Sequence, residues 1–326
     1  MYKEECKLKP FFSLDEQIER LKTRGLTIAD EGKAKRSLMC TNYYNLVNYY
    51  GKYLENDGGF VKGATFNELH QISIFDKRVR STFLNHLIRI ESMLKSFAAY
   101  TFCNVHREKY AYLNLSNLDT DNPLKCAKVI SKMANTIQIH QKNANHPIGH
   151  YVNKYGHVPL WVLVGFIDFG TFVQFFESMT LSDKNALAKE ISILYFDNYG
   201  EKVILTPEQL LNYLQSMQQL RNAAAHGNRL MSFKFRSDVK FHTELFAEFG
   251  VIDKSAPKQS IFYIFMVMKL FLAKDDFTNM FNSIRKSCRN LSNKLDSIEI
   301  EILMREFGFP NNFFENHSGL IKKSNN

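Results

Sequence analysis

Residues 206–227 read TPEQLLNYLQSMQQLRNAAAHG, and this stretch predicts one long helix with a marked start and a marked end. Thr206 is a typical N-cap, Pro207 suits the first helical position, and Gln209 can close a capping box with the threonine. Leucine, methionine and alanine recur at helical spacing, so one stripe of this helix should face a core. Gly227 is expected to end the helix.

The last turns of this helix carry three polar residues, Arg221, Asn222 and His226. Asn222 and His226 stack on one face, whereas Arg221 lies about 100° round the helix. Unpaired carbonyls at a helix C-terminus favour the protonated imidazole of His226, and histidine already titrates near neutral pH. Arg221 presents a planar fork that suits phosphate oxygens. The turn therefore predicts an arginine that binds phosphate beside a histidine that transfers protons. Cleavage of RNA by its own 2′-hydroxyl needs these two functions, and it needs no metal or other cofactor.

Five stretches of the chain carry a resemblance to known proteins. Residues 220–230 (LRNAAAHGNRL) resemble the R-N-x-x-x-H signature of HEPN ribonucleases. The Abi family of bacterial abortive-infection proteins, in its AbiD/AbiF-like group, is similar at residues 9–17 (KPFFSLDEQ), 75–80 (FDKRVR), 159–161 (PLW) and 308–310 (GFP). These stretches follow one another in the family's order, so the resemblance covers nearly the whole chain.

The resemblance implies a toxin of anti-phage defence that cleaves RNA. A HEPN-type helical domain would pair into a homodimer and bring two copies of the turn together as one composite site. His226 would act as acid and base, Arg221 would hold the scissile phosphate, and Asn222 would orient His226 or the backbone. Glu91, on a long helix that precedes the motif, is expected to support the site. RNA is the expected substrate, and a regulatory RNA is a further expected partner.

The turn departs from the family at three positions. Ala224 and Gly227 stand where relatives often carry a cysteine and a second histidine, and Gly165 replaces a common glutamate. These departures favour a second hypothesis, a non-catalytic RNA-binding defence protein whose turn only grips phosphate. A third hypothesis makes Arg221 one half of an internal ion pair, for instance with Glu91.

The charge of the chain agrees with an RNA partner. Lys and Arg number 42 against 33 Asp and Glu, a formal net charge of +9, and a basic surface binds nucleic acid through counterion release. An alternative for any one cluster is a solvated helix face. The residues predicted to bind RNA are Arg229, Lys33, Lys35, Arg36, Lys77 and Arg78.

The composition predicts a cytoplasmic protein with no membrane partner. The N-terminus leads into no apolar segment, and the longest apolar runs fall short of a span of about 20 residues. Five cysteines form no C-x-x-C pair, which is typical of a reducing compartment. His140, His146, His150 and His157 lie close in sequence, but they lack the pair spacing of a structural zinc site, so no metal is expected.

Helical periodicity predicts an all-α protein in three parts. These are an N-terminal helical segment over residues 1–60, a helical bundle core over residues 61–232, and a C-terminal helical region over residues 233–326. The resemblance implies that the core is HEPN-like. Three single helices are expected over residues 31–54, 159–179 and 260–274.

Overall fold

The computed structural model describes residues 10–317, and within them the all-α prediction is confirmed. Lys9 and Cys6 lie outside the described residues. Contacts divide the chain into two compact units, each discontinuous in sequence. The first unit holds residues up to 79 together with 283–313, and the second holds 80–282 together with the residues from 314 onwards. The three-part division into consecutive domains is a different partition and stays a prediction.

The first unit is built from short helices and one small hairpin. Phe75 and Phe307, which lie far apart in sequence, meet edge to face in its core with ring centroids 5.8 Å apart. Its elements are α1 (Leu14–Thr23), α2 (Glu31–Thr41), a π-helical turn (Tyr44–Asn48), a 3-10 turn (Gly51–Tyr53), β1 (Glu55–Asn56), β2 (Gly59–Phe60), the start of α3 (Phe66–Val105), the end of α12 (Lys274–Ser292) and α13 (Ile300–Glu306).

The sequence Thr65-Phe66-Asn67-Glu68 has the pattern of a capping box, which predicts a helix start, and the structure confirms it at the start of α3. Thr65 Oγ1 accepts a hydrogen bond from Glu68 N at 3.1 Å, and Glu68 Oε2 accepts from Thr65 N at 2.8 Å. The other carboxylate oxygen of Glu68 accepts from the backbone of Asp296 and from both the backbone and the hydroxyl of Ser297. The buried Glu68 therefore caps one helix and holds the turn that precedes α13.

The regular elements of the second unit, among its described residues, are helices and one isolated antiparallel bridge between Leu118 and Met179, and α9 is the central helix. α9 packs against α7, α8 and α11, while α4 packs against α7. Beside the remainder of α3 and α12, the helices are α4 (Pro123–His140), α5 (Pro147–Tyr155), α6 (Leu160–Leu163), α7 (Phe169–Ser178), α8 (Leu181–Tyr199), α9 (Pro207–Ala225), α10 (Thr243–Ala247), α11 (Ile261–Met268) and α14 (Phe313–Asn316). α14 begins at the last residue of the first unit. Two 3-10 turns lie at Ala111–Leu113 and Leu115–Asn117.

The sequence predicts three long single helices, and two of these predictions are wrong because a capping or left-handed residue interrupts the helix. The helix expected over residues 31–54 ends at Thr41, since Asn42 adopts φ +59°. The helix expected over residues 159–179 is split, because Asp168 caps a new helix by accepting from Thr171 N at 2.8 Å. Asparagine and aspartate compete with helical hydrogen bonding in this way through their short polar side chains.

The third expected helix, over residues 260–274, is also shorter than predicted. α11 ends at Met268, and the next backbone N–H groups, of Lys269, Leu270 and Phe271, each donate to a carbonyl three residues earlier. Tightening of the last turn to this 3-10 pattern is a common way for a helix to end.

No helix among residues 10–317 combines the length and the apolar content that crossing a membrane would need.

Candidate active site

α9 delivers the motif, and both of its ends are set by local hydrogen bonds. Thr206 Oγ1 accepts from Gln209 N and Gln209 Oε1 accepts from Thr206 N, both at 3.1 Å. Pro207 occupies the first helical position. The capping box predicted from the sequence is therefore confirmed. Leu214, Met217 and Leu220 are fully buried on the inner face, which leaves the polar residues of the motif on the outer one.

The end of α9 is a Schellman motif that exposes the histidine. His226 is the C-cap, and Gly227 adopts the left-handed conformation with φ +74°. Asn228 N donates to Ala223 O at 3.0 Å and Gly227 N to Ala224 O at 3.2 Å, which is the paired pattern that defines this ending. Gly227 thus ends the helix as predicted, and the imidazole of His226 lies exposed on a defined turn.

Arg80, on α3, holds the chain just beyond the histidine. Its Nη1 donates to Gly227 O at 3.0 Å and to Asn228 O at 3.3 Å. A guanidinium suits this role because its fixed fork satisfies carbonyls that a helix end leaves unpaired. Arg80 therefore restrains the turn that carries His226.

Arg221 and Glu91 lie 130 residues apart in sequence and meet in the structure. Arg221 Nε donates to Glu91 Oε2 at 3.3 Å. Glu91 Oε1 accepts from Lys95 Nζ at 2.7 Å, and the same ammonium donates to Ile167 O at 2.6 Å. Glu91 and Lys95 are both buried, whereas the Arg221 side chain is 31% exposed. The carboxylate thus fixes the inner nitrogen of the arginine and leaves its outer end near solvent.

Asn222 and His226 line the same groove, which we call the amide groove, and Arg221 is not among its lining residues. The groove has a volume of about 610 Å³. Its walls are Gln215, Gln218, Gln219, Asn222, Ala223 and His226 of α9 and, opposite, Asn228, Phe233, Lys234, Arg236 and Ser237. The structure therefore brings Asn222 and His226 together on one face, while Arg221 points towards Glu91.

A family model described as Abi-like protein matches residues 36–232, more than half of the chain. The chain belongs to this family. Membership associates the protein with abortive infection, and it agrees with the resemblance found in the sequence. The comparisons found no match among curated proteins and none among solved structures.

The sequence of this Abi-like protein departs from the family's pattern at three positions, and the structure gives a physical reason for one of them, Gly227. Gly227 has a positive φ of 74°, a conformation in which a histidine would be strained. Ala224 is buried against the core, with only 4% of its surface exposed. Gly165 is exposed, and an added Cβ would meet only Val162 O at an ordinary 3.5 Å. Space does not explain the absence of a side chain at Gly165.

The cations predicted to bind RNA occupy different parts of this Abi-like protein. Arg229 follows the motif turn directly and is half-buried in the second unit. Lys33 and Arg36 are exposed on α2 and line a pocket of about 520 Å³ within the first unit. Lys35 pairs with Asp15, and with Glu31 at 3.8 Å. Lys77 and Arg78 are exposed on α3, also in the first unit. RNA binding by these residues stays a prediction.

The four clustered histidines have structural contacts. His146 caps α5 by accepting from Ile148 N at 3.2 Å, and its ring stacks on that of His140 with centroids 4.0 Å apart. Burial and the neighbouring His140 lower the pKa of His146. Among the described residues, no group of three or more His, Cys, Asp or Glu side chains is placed to hold a metal ion.

Three features of the candidate site were missed by the sequence reasoning. Arg80 acts through contacts with residues far along the chain, which no local pattern announces. Lys95 stands four residues after Glu91, a spacing at which ion pairs form on a helix, and only its contact with Ile167 joins distant residues. The amide groove did leave a signal. Gln215, Gln218 and Gln219 precede Asn222 at helical spacing, so they predict a polar stripe that leads to the motif.

Proposed function

We propose that this protein is a metal-independent HEPN endoribonuclease of anti-phage abortive infection, active as a homodimer. The observation that carries the proposal is the placement of His226 at the rim of a polar groove, on a turn restrained by Gly227 and Arg80. Catalysis needs an acid or base held in position rather than on a mobile side chain alone. The family supports the defence role, and the motif supports the chemistry.

The proposed reaction uses the 2′-hydroxyl of the RNA as nucleophile. The 2′-oxygen attacks the phosphorus while its proton passes to an imidazole, and the bond from phosphorus to the 5′-oxygen breaks as that oxygen gains a proton. The products are a 2′,3′-cyclic phosphate and a 5′-hydroxyl. In a homodimer, His226 of one protomer and His226 of its partner would divide the roles of base and acid. This chemistry needs no metal or other cofactor.

The contacts of Arg221 support its proposed role as the phosphate ligand. Glu91 holds only the Nε nitrogen. Among residues 10–317, the two terminal nitrogens of Arg221 have no hydrogen-bond partner, so they are available to two phosphate oxygens in the bidentate geometry that guanidinium favours. Asn222 would orient the substrate or His226 from within the amide groove.

The experiment that tests catalysis compares bacteria expressing the wild type with bacteria expressing His226→Ala. We expect growth arrest and new 5′-hydroxyl RNA ends in the wild type alone, because the variant lacks the group that moves protons. His150→Ala is the matched control, since it removes an exposed histidine elsewhere in the same unit. Purified protein should cut single-stranded RNA in the presence of EDTA. Intact RNA over a wide range of protein concentrations contradicts the proposal.

The second candidate is an RNA-binding defence protein whose turn grips phosphate without cutting. Gly165 and Gly227 favour it, because neither supplies the polar side chain that relatives often carry. Under this hypothesis, wild type and His226→Ala would have equal effects on growth, and RNA would copurify with both proteins. A regulatory RNA that restrains an active enzyme would instead copurify with an intact nuclease, whose activity returns once that RNA is removed.

A further inference from the structure

The outer face of α9 carries a row of amides that ends at the proposed catalytic histidine. Gln215, Gln218, Asn222 and His226 follow one another at intervals of three and four residues, so they lie along one side of the helix. All four line the amide groove. A ligand that contacts the histidine therefore contacts the amides next.

The amide side chains of the groove divide into two sets. Gln219 is engaged in the structure, because its Oε1 accepts from Arg236 N at 3.1 Å and its Nε2 donates to Gln215 O at 3.3 Å. The side-chain amides of Gln215, Gln218 and Asn222 have no hydrogen-bond partner within residues 10–317. Each of these three amides offers both a donor and an acceptor to a ligand.

The opposite wall of the groove is fastened to α9 by side chains of that helix. Asn212 binds the backbone of Asp238 and Lys240, with Nδ2 donating at 3.0 Å and Oδ1 accepting at 2.8 Å. The hydroxyl of Tyr213 donates to Lys240 O at 2.9 Å, and Gln209 Nε2 donates to Phe241 O at 3.1 Å. The groove is thus formed before any ligand binds, which lowers the entropic cost of binding.

The chemistry of this wall suits a nucleotide. Lys234 and Arg236 are exposed cations, and no carboxylate is among the described residues that line the groove. The half-buried ring of Phe233 is held edge to face by Phe235, with centroids 5.2 Å apart. Cations bind the phosphates, an aromatic ring stacks on a base, and amides bind base edges in single-stranded RNA.

We propose that the amide groove binds the nucleotide next to the scissile bond in single-stranded RNA and reads its base through Gln215, Gln218 and Asn222. The position of the scissile bond rests on the proposed function of His226. Lys234 and Arg236 bind the flanking phosphates, and Phe233 stacks on the base. The RNA must be unpaired, because pairing in a helix occupies the edges that these amides would contact. The groove therefore gives the enzyme a base preference at one position.

Binding is tested separately from cleavage by using full-length His226→Ala protein and fluorescein-labelled RNA. The probes are single-stranded oligomers of A, of C, of U and of mixed sequence, and one duplex. We expect one base to bind best and the duplex to bind weakly. Gln218→Ala should weaken binding of the preferred base by about tenfold and bring the oligomers closer together in affinity. Gln138→Ala, an exposed glutamine on α4, is the matched control.

The phosphate contacts are tested by the dependence of affinity on salt. The slope of log affinity against log salt should fall by about 0.7 for each of Lys234→Ala and Arg236→Ala, because each change removes one released counterion on single-stranded RNA. Lys142→Ala, an exposed lysine in a turn of the same unit, should leave the slope unchanged.

A glycine behind the groove provides a variant that alters base reading without removing an amide. An added Cβ at Gly170 would lie 2.6 Å from Gln218 Nε2, the end of a flexible side chain. Gly170→Ala should therefore displace the Gln218 amide and change the preferred base. Because the same Cβ would lie 2.9 Å from Asp168 Oδ1, the melting temperature is measured in parallel. Gly32→Ala, at an unstrained helical glycine of the first unit, is the control.

The outcomes separate this inference from the proposed function. In one outcome, the wild type cuts RNA while substitution of Gln218, Lys234 or Arg236 leaves the affinity for every oligomer equal to that of the His226→Ala parent protein. That result overturns the groove proposal and leaves the nuclease proposal standing. If the wild type cuts nothing but these variants lose affinity and base preference, the nuclease proposal fails and the groove stands. Equal affinity for the duplex and the single strands overturns the groove proposal as well.

Discussion

Glu91 lies between two cations, and its contacts decide how Arg221 can act. One carboxylate oxygen of Glu91 accepts a hydrogen bond from Lys95, and the other accepts one from Arg221. This arrangement contains the contact that the third hypothesis required, an ion pair between Arg221 and Glu91. The 31% exposure of the Arg221 side chain and its unoccupied terminal nitrogens, among the described residues, leave room for phosphate binding as well. The two roles are separated by comparing folding with cleavage.

Arg221→Ala should abolish RNA cleavage and cost only about 1 kcal/mol of unfolding free energy, because the pair it breaks is partly exposed. Glu91→Ala should cost more, about 3 kcal/mol, because it leaves the buried ammonium of Lys95 without its carboxylate. Urea unfolding and cleavage of single-stranded RNA measure the two effects. Glu190→Ala, on α8, is the control for loss of a carboxylate outside this cluster. An Arg221→Ala protein that fails to fold supports the purely structural hypothesis instead.

At the scale of single elements, the two ends of α9 have different sensitivities. Its start depends on the capping box between Thr206 and Gln209, whose hydrogen bonds join residues only three positions apart. Its end depends on the conformation of Gly227 and on Arg80 from another helix. The position of His226 is therefore set by tertiary contacts as well as by the helix itself.

Gly227→Ala is expected to destabilise the fold by about 1 kcal/mol, because alanine is disfavoured at the positive φ that the Schellman motif needs. An added Cβ at Gly227 would meet no atom within 4 Å, so the cost is conformational rather than steric. Cleavage should fall by a larger factor than this loss of stability explains, because the turn that carries His226 changes shape. Thermal unfolding and cleavage rates test this expectation, and Gly32→Ala is the control. Unchanged cleavage would show that the turn geometry is not required.

The cap of α3 predicts a dependence of stability on pH. Burial opposes the charge on Glu68, yet donors from Ser297, Asp296 and Thr65 outweigh it and lower the pKa of this carboxyl. A lowered pKa in the folded state contributes stability that is present above the ordinary glutamate value and is lost as the pH falls through the lowered pKa. The melting temperature of the wild type should therefore exceed that of Glu68→Gln near neutral pH, and the difference should shrink on acidification below about 4.5. A constant difference across this range would contradict the assignment.

At the scale of the whole molecule, the proposed function requires a second copy of the chain. One protomer supplies one Arg221 and one His226, whereas the proposed reaction uses both a base and an acid. The net charge of +9 favours RNA, and it also makes two copies repel each other unless their contact surfaces are apolar. Dimerisation and activity should therefore change together with protein concentration.

Analytical ultracentrifugation should detect a homodimer, and cleavage per molecule should fall when dilution dissociates it. Mixing an excess of His226→Ala protein with the wild type should suppress cleavage, because mixed dimers hold one imidazole in place of two. Added His150→Ala protein should raise total activity, since that variant keeps the proposed site intact. Cleavage that is proportional to concentration over the whole range, with no suppression by His226→Ala, would indicate a site complete within one protomer.

Much of the fold was predictable from local sequence, and so was the place of the motif. The capping boxes at Thr65 and Thr206 and the end of α9 at Gly227 were predicted correctly, because their hydrogen bonds join residues only a few positions apart. The breaks at Asn42 and Asp168 were missed, because the apolar spacing on either side of each residue continues the helical pattern. Propensity and periodicity are averaged over a segment, and one side chain can override them.

The sequence by itself determined that the chain is helical, that α9 ends in an Arg, an Asn and a His, and that these residues fit the Abi-like family. Only the tertiary structure decided which partners they have. It placed Glu91 against Arg221, Arg80 against the turn at Gly227, and the wall of Phe233 to Ser237 across from Gln218. Local hydrogen bonds are encoded within a few residues, whereas contacts between residues farther apart in the chain depend on how whole helices and loops pack.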